Sequence, residues 1–73
     1  MKRALTLEYE GKVVKCGLST KYKHYKVQVD GSPAGWVDPG AYRAYNAQAE
    51  CIGTFKSLDQ AAYAVAEHYV HFR

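Results

Sequence analysis

The sequence has little of what marks an enzyme, a membrane protein or a secreted domain. Its 73 residues contain no long apolar run, and the first ten, MKRALTLEYE, lack the apolar stretch and small-residue cleavage site of a signal peptide. There is no G-x-S-x-G motif, no phosphate-binding glycine loop and no pair of acids at a recognisable spacing. We therefore expect a non-enzymatic, cytoplasmic protein without a cofactor.

Cysteine is scarce as well. Cys16 and Cys51 lie far apart and outside any CxxC pattern. Each falls within a predicted strand, where a free thiol behaves as a small buried hydrophobe. A disulfide between them would require an oxidising compartment, and the sequence leaves open whether the two are neighbours across the sheet.

The three histidines raise the question of a metal ion. His68 and His71 share one helix face, which is expected to meet solvent. Two histidines without a third ligand at a plausible spacing do not make a zinc site, and histidines near a helix C-terminus interact favourably with the helix dipole. We predict no metal site.

The chain is short and its charge is unevenly placed. Its length predicts one domain, 1–73, near the lower limit of what folds alone, so a homodimer is possible. The net charge is +3, but five lysines and no acid lie from Lys12 to Lys26. Seven tyrosines and one tryptophan are a heavy aromatic load. We expect one basic side and a near-neutral helix side.

Alternation and turn signals predict an antiparallel sheet. Glu10-Gly11 reads as a two-residue hairpin turn, with glycine where a positive φ is needed. This turn puts apolar pairs such as Leu5 and Cys16 on one face and polar pairs such as Thr6 and Lys15 on the other. The predicted strands are about 3–9, 12–18, 22–29, 42–46 and 50–55, with a turn cluster at 30–35 and a very short strand or bridge at 36–37.

A helix at about 57–72 completes the predicted fold. Ser57 and Gln60 match the S-x-x-Q capping box, and Asp59 suits the positive end of the helix dipole. The expected buried stripe is Leu58, Ala61, Ala62, Val65, Tyr69 and Phe72. The predicted class is α+β, an antiparallel meander of about five short strands with one C-terminal helix packed on one face.

The sheet face turned away from this helix is the candidate binding surface. The candidate contact residues are Lys15, Tyr22, Lys23, His24, Lys26, Trp36, Arg43 and Tyr45. Lysine and arginine neutralise phosphates, and flat rings accept bases or sugars, so the leading hypothesis is nucleic-acid binding. The competing interpretation is a solvated face whose lysines keep the sheet soluble. Trp36 fits either packing at one end of the sheet or an anchor for a partner.

Residues 43–66 read R-A-Y-N-A-Q-A-E-C-I-G-T-F-K-S-L-D-Q-A-A-Y-A-V-A. This run resembles the plant ethylene-response-factor type of DNA-binding domain, and the N-terminal domain of tyrosine-family phage integrases has a similar sheet-plus-helix form. The resemblance implies DNA binding with the sheet in the major groove. Gly53-Thr54-Phe55 and Ala61-Ala62 match packing positions. The groove-facing arginines and tryptophans of the plant domain are mostly absent, and only Arg43 sits where a groove contact is expected.

The chain also resembles, in type, the small accessory proteins of phages and mobile elements. Some of these, such as anti-CRISPR inhibitors, dock on a host nucleic-acid-handling complex and block it. A composition rich in tyrosine suits protein docking as readily as nucleic acid. The alternative hypothesis is therefore a phage-type inhibitor in the host cytoplasm, with Trp36 as an anchor and a basic rather than a DNA-mimicking surface.

Overall fold

The computed structural model describes residues 4–19, 21 and 23–72, which form a six-stranded sheet and one helix. The elements are β1 (Ala4–Tyr9), β2 (Lys12–Ser19), β3 (His24–Val29), β4 (Ser32–Asp38), β5 (Arg43–Asn46), β6 (Cys51–Thr54) and α1 (Leu58–Phe72). Each strand pairs antiparallel with the next along the chain. The predicted α+β meander with a C-terminal helix packed on the sheet is confirmed, with one strand more than expected.

The first hairpin has the predicted register. Glu10 and Gly11 both adopt positive φ, 51° and 78°, as a primed two-residue turn requires. Leu5 lies opposite Cys16, and Thr6 lies opposite Lys15. The apolar pairs therefore face the helix, while the polar pairs face away from it.

The helix lies close to the sheet because its inner surface is built from small side chains. Ala61, Ala62, Val65 and Ala66 are all fully buried, so Ala66 joins the predicted stripe. The side chain of Phe72 lies outside the described part of the chain. Among the described residues, the helix contacts all six strands while β1 and β6 do not contact each other. The helix therefore bridges the two edges of the sheet and shields the inner face from water.

The start of the helix uses the predicted capping residues in a modified form. The Ser57 hydroxyl accepts from the Gln60 amide at 3.4 Å. Gln60 Oε1 accepts from the amide of Lys56 at 3.4 Å, one residue before the expected donor. Ser57 also donates to the Asp59 carboxylate, which lowers the pKa of that carboxyl. The first turn is therefore capped by side chains that the sequence identifies.

Strand β4 corrects the prediction of a turn cluster at 30–35. The turn is confined to Asp30-Gly31, and Ser32–Asp38 pairs with β3 on one side and β5 on the other. Gln28 pairs with Pro33 whereas Val27 pairs with Gly35, so Ala34 is an extra residue in a β-bulge. The bulge interrupts the alternation of side chains, which is why the sequence pattern predicted only a very short strand or bridge at 36–37.

The bulge decides which way Trp36 points. Beyond it, Trp36 lies opposite Lys26 on the outer face and Val37 lies opposite Tyr25 in the core. A strand without the extra residue would place Trp36 opposite Tyr25, on the inner face, because a shift of one residue exchanges the two faces of a strand. The β-bulge therefore brings the tryptophan to the outside.

Gly35 makes this bulge possible. Its φ is +154°, and a Cβ built on it would lie 2.0 Å from the carbonyl oxygen of Tyr45 and 3.0 Å from the Cα of Asn46. No side chain fits there unless the β5 backbone moves. The position therefore accepts only glycine.

We predict that Gly35→Ala lowers the free energy of unfolding by about 3 kcal/mol or more, because either the bulge or the pairing with β5 must distort. Gly17→Ala is the matched control, since a Cβ at Gly17 meets no atom within 4 Å. The control should be neutral or stabilising by about 0.5–1 kcal/mol. Urea unfolding followed by circular dichroism compares the two, and equal destabilisation would contradict this account of the bulge.

Candidate nucleic-acid interface

The outer face is the side of the sheet that α1 does not cover. Its residues include Lys15, His24, Lys26, Gln28, Trp36, Arg43 and Tyr45, together with the acids Glu8, opposite Val13, and Asp38, opposite Arg43. Lys23 is exposed in the turn before β3, where its φ is 58°. Tyr22 lies outside the described residues. The structure thus places six of the eight predicted contact residues on one face of the sheet and a seventh beside it.

Three aromatic rings form a stack on this face. The Trp36 ring lies 5.4 Å from His24 at an interplanar angle of 19°, and 5.1 Å from Tyr45 at 15°. These are offset-stacked geometries, which stabilise aromatic pairs beyond the area that they bury. Because β4 lies between β3 and β5, Trp36 is the middle ring. Trp36 therefore packs against aromatic neighbours on the outer face, a place that neither sequence interpretation specified.

Arg43 is held at the Tyr45 end of the ring stack. A hydrogen bond with the Tyr45 side chain raises the pKa of the Arg43 guanidinium. Electrostatic interactions with Tyr45, Cys51 and Asp38 raise it further. Asp38 lies directly opposite Arg43 in the β4–β5 register. Arg43 is thus a permanent positive charge placed beside an aromatic ring.

A groove of about 500 Å³ crosses β1, β2 and β3 next to the ring stack. Lys15, Lys21 and Lys26 line it, and no acidic residue does so among the residues that the structure describes. Gly17 contributes no side chain, and the space above its Cα is open. The register puts Lys26 between Gly17 and Trp36. The groove and the ring stack are therefore continuous through Lys26.

Two of the three groove lysines keep their charge available. Lys15 and Lys26 are exposed, and neither is in an ion pair within the described part of the chain. Two acids near this face are bound in hairpin turns instead. Asp30 Oδ1 accepts from the Val13 amide at 2.9 Å, and Glu50 Oε1 accepts from the Asn46 side-chain amide at 3.0 Å. Neither carboxylate forms an ion pair with Lys15 or Lys26 in the described part of the chain, so these two lysines remain available to an anionic ligand.

Asn46 organises the turn that follows Tyr45. The side chain is buried, with 5% exposed, and its Oδ1 accepts from the amides of Gln48 and Glu50, both at 2.9 Å. Its Nδ2 donates to the Glu50 carboxylate. The predicted strands 42–46 and 50–55 imply a turn between them but do not predict this role for Asn46; asparagine at the start of a turn was the available signal.

The two cysteines lie in different environments. Cys16 is buried in the core, and burial raises the pKa of its thiol to about 11. Cys51 is exposed on the outer face, opposite Tyr45, so the prediction that both cysteines are buried is wrong for Cys51. β6 is an edge strand, and the helix leaves this part of it uncovered. Three strands separate the two cysteines, and both are free thiols.

His71 packs against the first hairpin. Its Nε2 lies 3.2 Å from the Glu10 carboxylate and 3.2 Å from the Tyr9 hydroxyl, and its ring meets the Tyr9 ring edge-on. These contacts join the end of the helix to the β1–β2 turn. They lie at the other side of the molecule from the ring stack and give His71 a packing role.

Comparison with protein-family models, curated proteins and solved structures gave no match. The resemblance of residues 43–66 to DNA-binding modules therefore stays a prediction. Of the described residues, no helix combines the length and apolar character needed to cross a membrane.

We predict that Asn46→Ala lowers the free energy of unfolding by about 1–3 kcal/mol, since two backbone amides lose their acceptor and Glu50 loses its donor. Gln48→Ala, an exposed change in the same turn, is the control and should stay within about 0.5 kcal/mol of the parent protein. Urea unfolding measures both. A difference of less than about 0.5 kcal/mol between them would contradict the role given to Asn46.

The cysteine environments predict two phases of thiol labelling. At pH 8 only about one thousandth of the Cys16 thiol would be thiolate, and its burial also blocks access, so it should react with an aromatic disulfide reagent only after unfolding in urea. Exposed Cys51 should react in the native protein. The Cys51→Ser variant should lose the fast phase alone. Two fast phases in the native protein would contradict the structure.

Proposed function

We propose that this protein binds nucleic acid through the outer face and catalyses no reaction there. The observation that carries the proposal is the His24–Trp36–Tyr45 ring stack next to a groove lined by lysines. Cations that release counterions from phosphates, and flat rings beside them, are the two components that proteins use to bind nucleic acid without enclosing it.

A face that served only for solubility would not need this arrangement. Lysine alone protects an exposed sheet against association. Here the one tryptophan of the sequence lies on the solvent side, half-buried between two other rings, although a chain of this size gains most by placing large apolar groups inside. The aromatic rings therefore favour a binding role over a purely solubilising one.

The ring stack also favours one competing function. Tryptophan is enriched among the residues that carry binding energy in protein complexes, and a rigid aromatic cluster suits such a contact. A phage-type inhibitor that docks on an acidic surface of a nucleic-acid-handling complex would use Trp36, Tyr45 and Lys26. A titration with oligonucleotides separates this second candidate from the first.

We predict salt-dependent binding to oligonucleotides that requires the groove lysines. With three phosphate contacts, from Lys15, Lys26 and Arg43, affinity should fall roughly 15- to 40-fold between about 50 mM and 200 mM salt. Fluorescence anisotropy with labelled single-stranded and duplex oligonucleotides measures this. The Lys15→Glu/Lys26→Glu variant should bind at least about tenfold more weakly and show a smaller salt slope.

The matched control is Lys12→Glu/Lys56→Glu, which changes the net charge equally but alters lysines outside the groove. It should lose much less affinity than the groove variant. Equal losses would show that total charge, and not the outer face, governs binding. No detectable binding to any oligonucleotide at low salt would refute the proposal, and capture of one host complex by the protein would then favour the inhibitor.

A further inference from the structure

We infer that the nucleic acid bound by the outer face is single-stranded and crosses the strands of the sheet, from the lysine-lined groove to the ring stack. This inference rests on the proposed function and names the substrate class of the same site. It depends on three features of the outer face: a continuous row of residues, the size of the groove, and the width of the sheet.

The row runs perpendicular to the strands. Its members, paired one to the next in register on β2 to β6, are Gly17, Lys26, Trp36, Tyr45 and Cys51. Adjacent strands are about 4.8 Å apart, so the row spans roughly 19 Å. From β2 to β5 the row passes from the open surface above Gly17, through the positive charge of Lys26, to the rings of Trp36 and Tyr45. A flexible strand of a few nucleotides can follow such a path with its phosphates near Lys26 and its bases near the rings.

The groove has the size and lining for an unpaired nucleotide. Its volume of about 500 Å³ lies within the range of small-ligand sites, roughly 300–1,000 Å³. Thr6, Ser19 and Gln28 contribute polar lining, and the lysines contribute charge for a phosphate. A base in a duplex is paired and stacked, so it could enter only after unstacking, which costs a few kcal/mol. A single strand presents the base at much lower cost.

The sheet is too wide to enter a DNA major groove. Six strands at about 4.8 Å spacing extend about 24 Å, whereas the major groove is about 12 Å wide. The molecule measures 29 × 22 × 21 Å, so it is wider than the major groove along each of its axes. The major-groove mode implied by the resemblance of residues 43–66 is therefore disfavoured.

The ring stack fixes where a base can stack. His24 and Tyr45 cover the two faces of Trp36, so a base cannot sit on the tryptophan itself. Cys51, opposite Tyr45 on the edge strand, is small and exposed. A base placed above Cys51 would extend the stack on the β6 side of Tyr45. Arg43, already bonded to Tyr45, would lie beside its phosphate.

The test compares one unstructured 12-nucleotide strand with the blunt duplex that it forms with its complement. Trp36 is the one tryptophan in the sequence, so its fluorescence reports directly on the ring stack. The single strand should bind at least tenfold more tightly than the duplex. Its titration should change Trp36 emission with the same midpoint as the anisotropy signal.

Gly17→Thr tests the groove without removing a charge. A Cβ at this position meets no atom within 4 Å, so a threonine side chain has room to fill the open floor, and a β-branched residue suits a strand. Its thermal unfolding midpoint should equal or exceed that of the parent, while single-strand affinity should fall at least tenfold. Val13→Thr, on the same face of β2 but outside the groove, should bind like the parent.

The outcomes distinguish this inference from the function on which it rests. Equal or tighter duplex binding would overturn the single-strand inference and leave nucleic-acid binding intact. Parent-like affinity of Gly17→Thr would overturn the path through the groove, and unchanged Trp36 emission at saturation would overturn the path along the ring stack. Absence of binding to both oligonucleotides would overturn both proposals.

Discussion

The β-bulge at Ala34 and Gly35 is the constraint on which the outer face depends. One extra residue in β4 exchanges the faces of the strand, so that Val37 enters the core and Trp36 leaves it. The exchange requires a residue without a Cβ at position 35. A Cβ there would lie 2.0 Å from the carbonyl oxygen of Tyr45 on β5. The contacts of Trp36 with His24 and with Tyr45 both depend on this one bulge.

The inner face shows what the chain uses for stability in place of the tryptophan. The core consists mainly of valines and alanines, and Tyr25, 7% exposed, is the one large aromatic side chain among the buried residues that the structure describes. Small residues on α1 let the helix sit close to the sheet, which compensates in part for the small apolar area of a short chain. Burying the tryptophan would add apolar area to that core. Its position outside is therefore better explained by binding than by folding, since local departures from the best packing concentrate at functional sites.

Sequence patterns predicted the parts of the fold where alternation is regular. The Glu10-Gly11 turn determines the register of β1 and β2, and alternation from His24 to Val29 places His24 and Lys26 away from the helix. The full length of β4 was not predicted, because Gly31, Pro33 and Gly35 are typical of a turn and because the bulge breaks the two-residue alternation of side chains. The contact of Trp36 with His24 and Tyr45 could not be predicted, since it depends on that missed register. The groove was hidden for another reason: Gly17 falls within the predicted strand 12–18, and nothing in the sequence shows that the space above this glycine is open.

The rings and the lysines of the outer face contribute different properties to binding. The three rings restrain one another before any partner arrives, so little conformational entropy is lost there on association. Lys15 and Lys26 are long, exposed side chains that can follow phosphates in several positions, and their contribution weakens as salt rises. The rings therefore fix where a chain lies, whereas the lysines set how strongly and how fast it is attracted. Such a division suits a ligand with a regular charge and a variable base sequence, which is the character of a nucleic-acid strand.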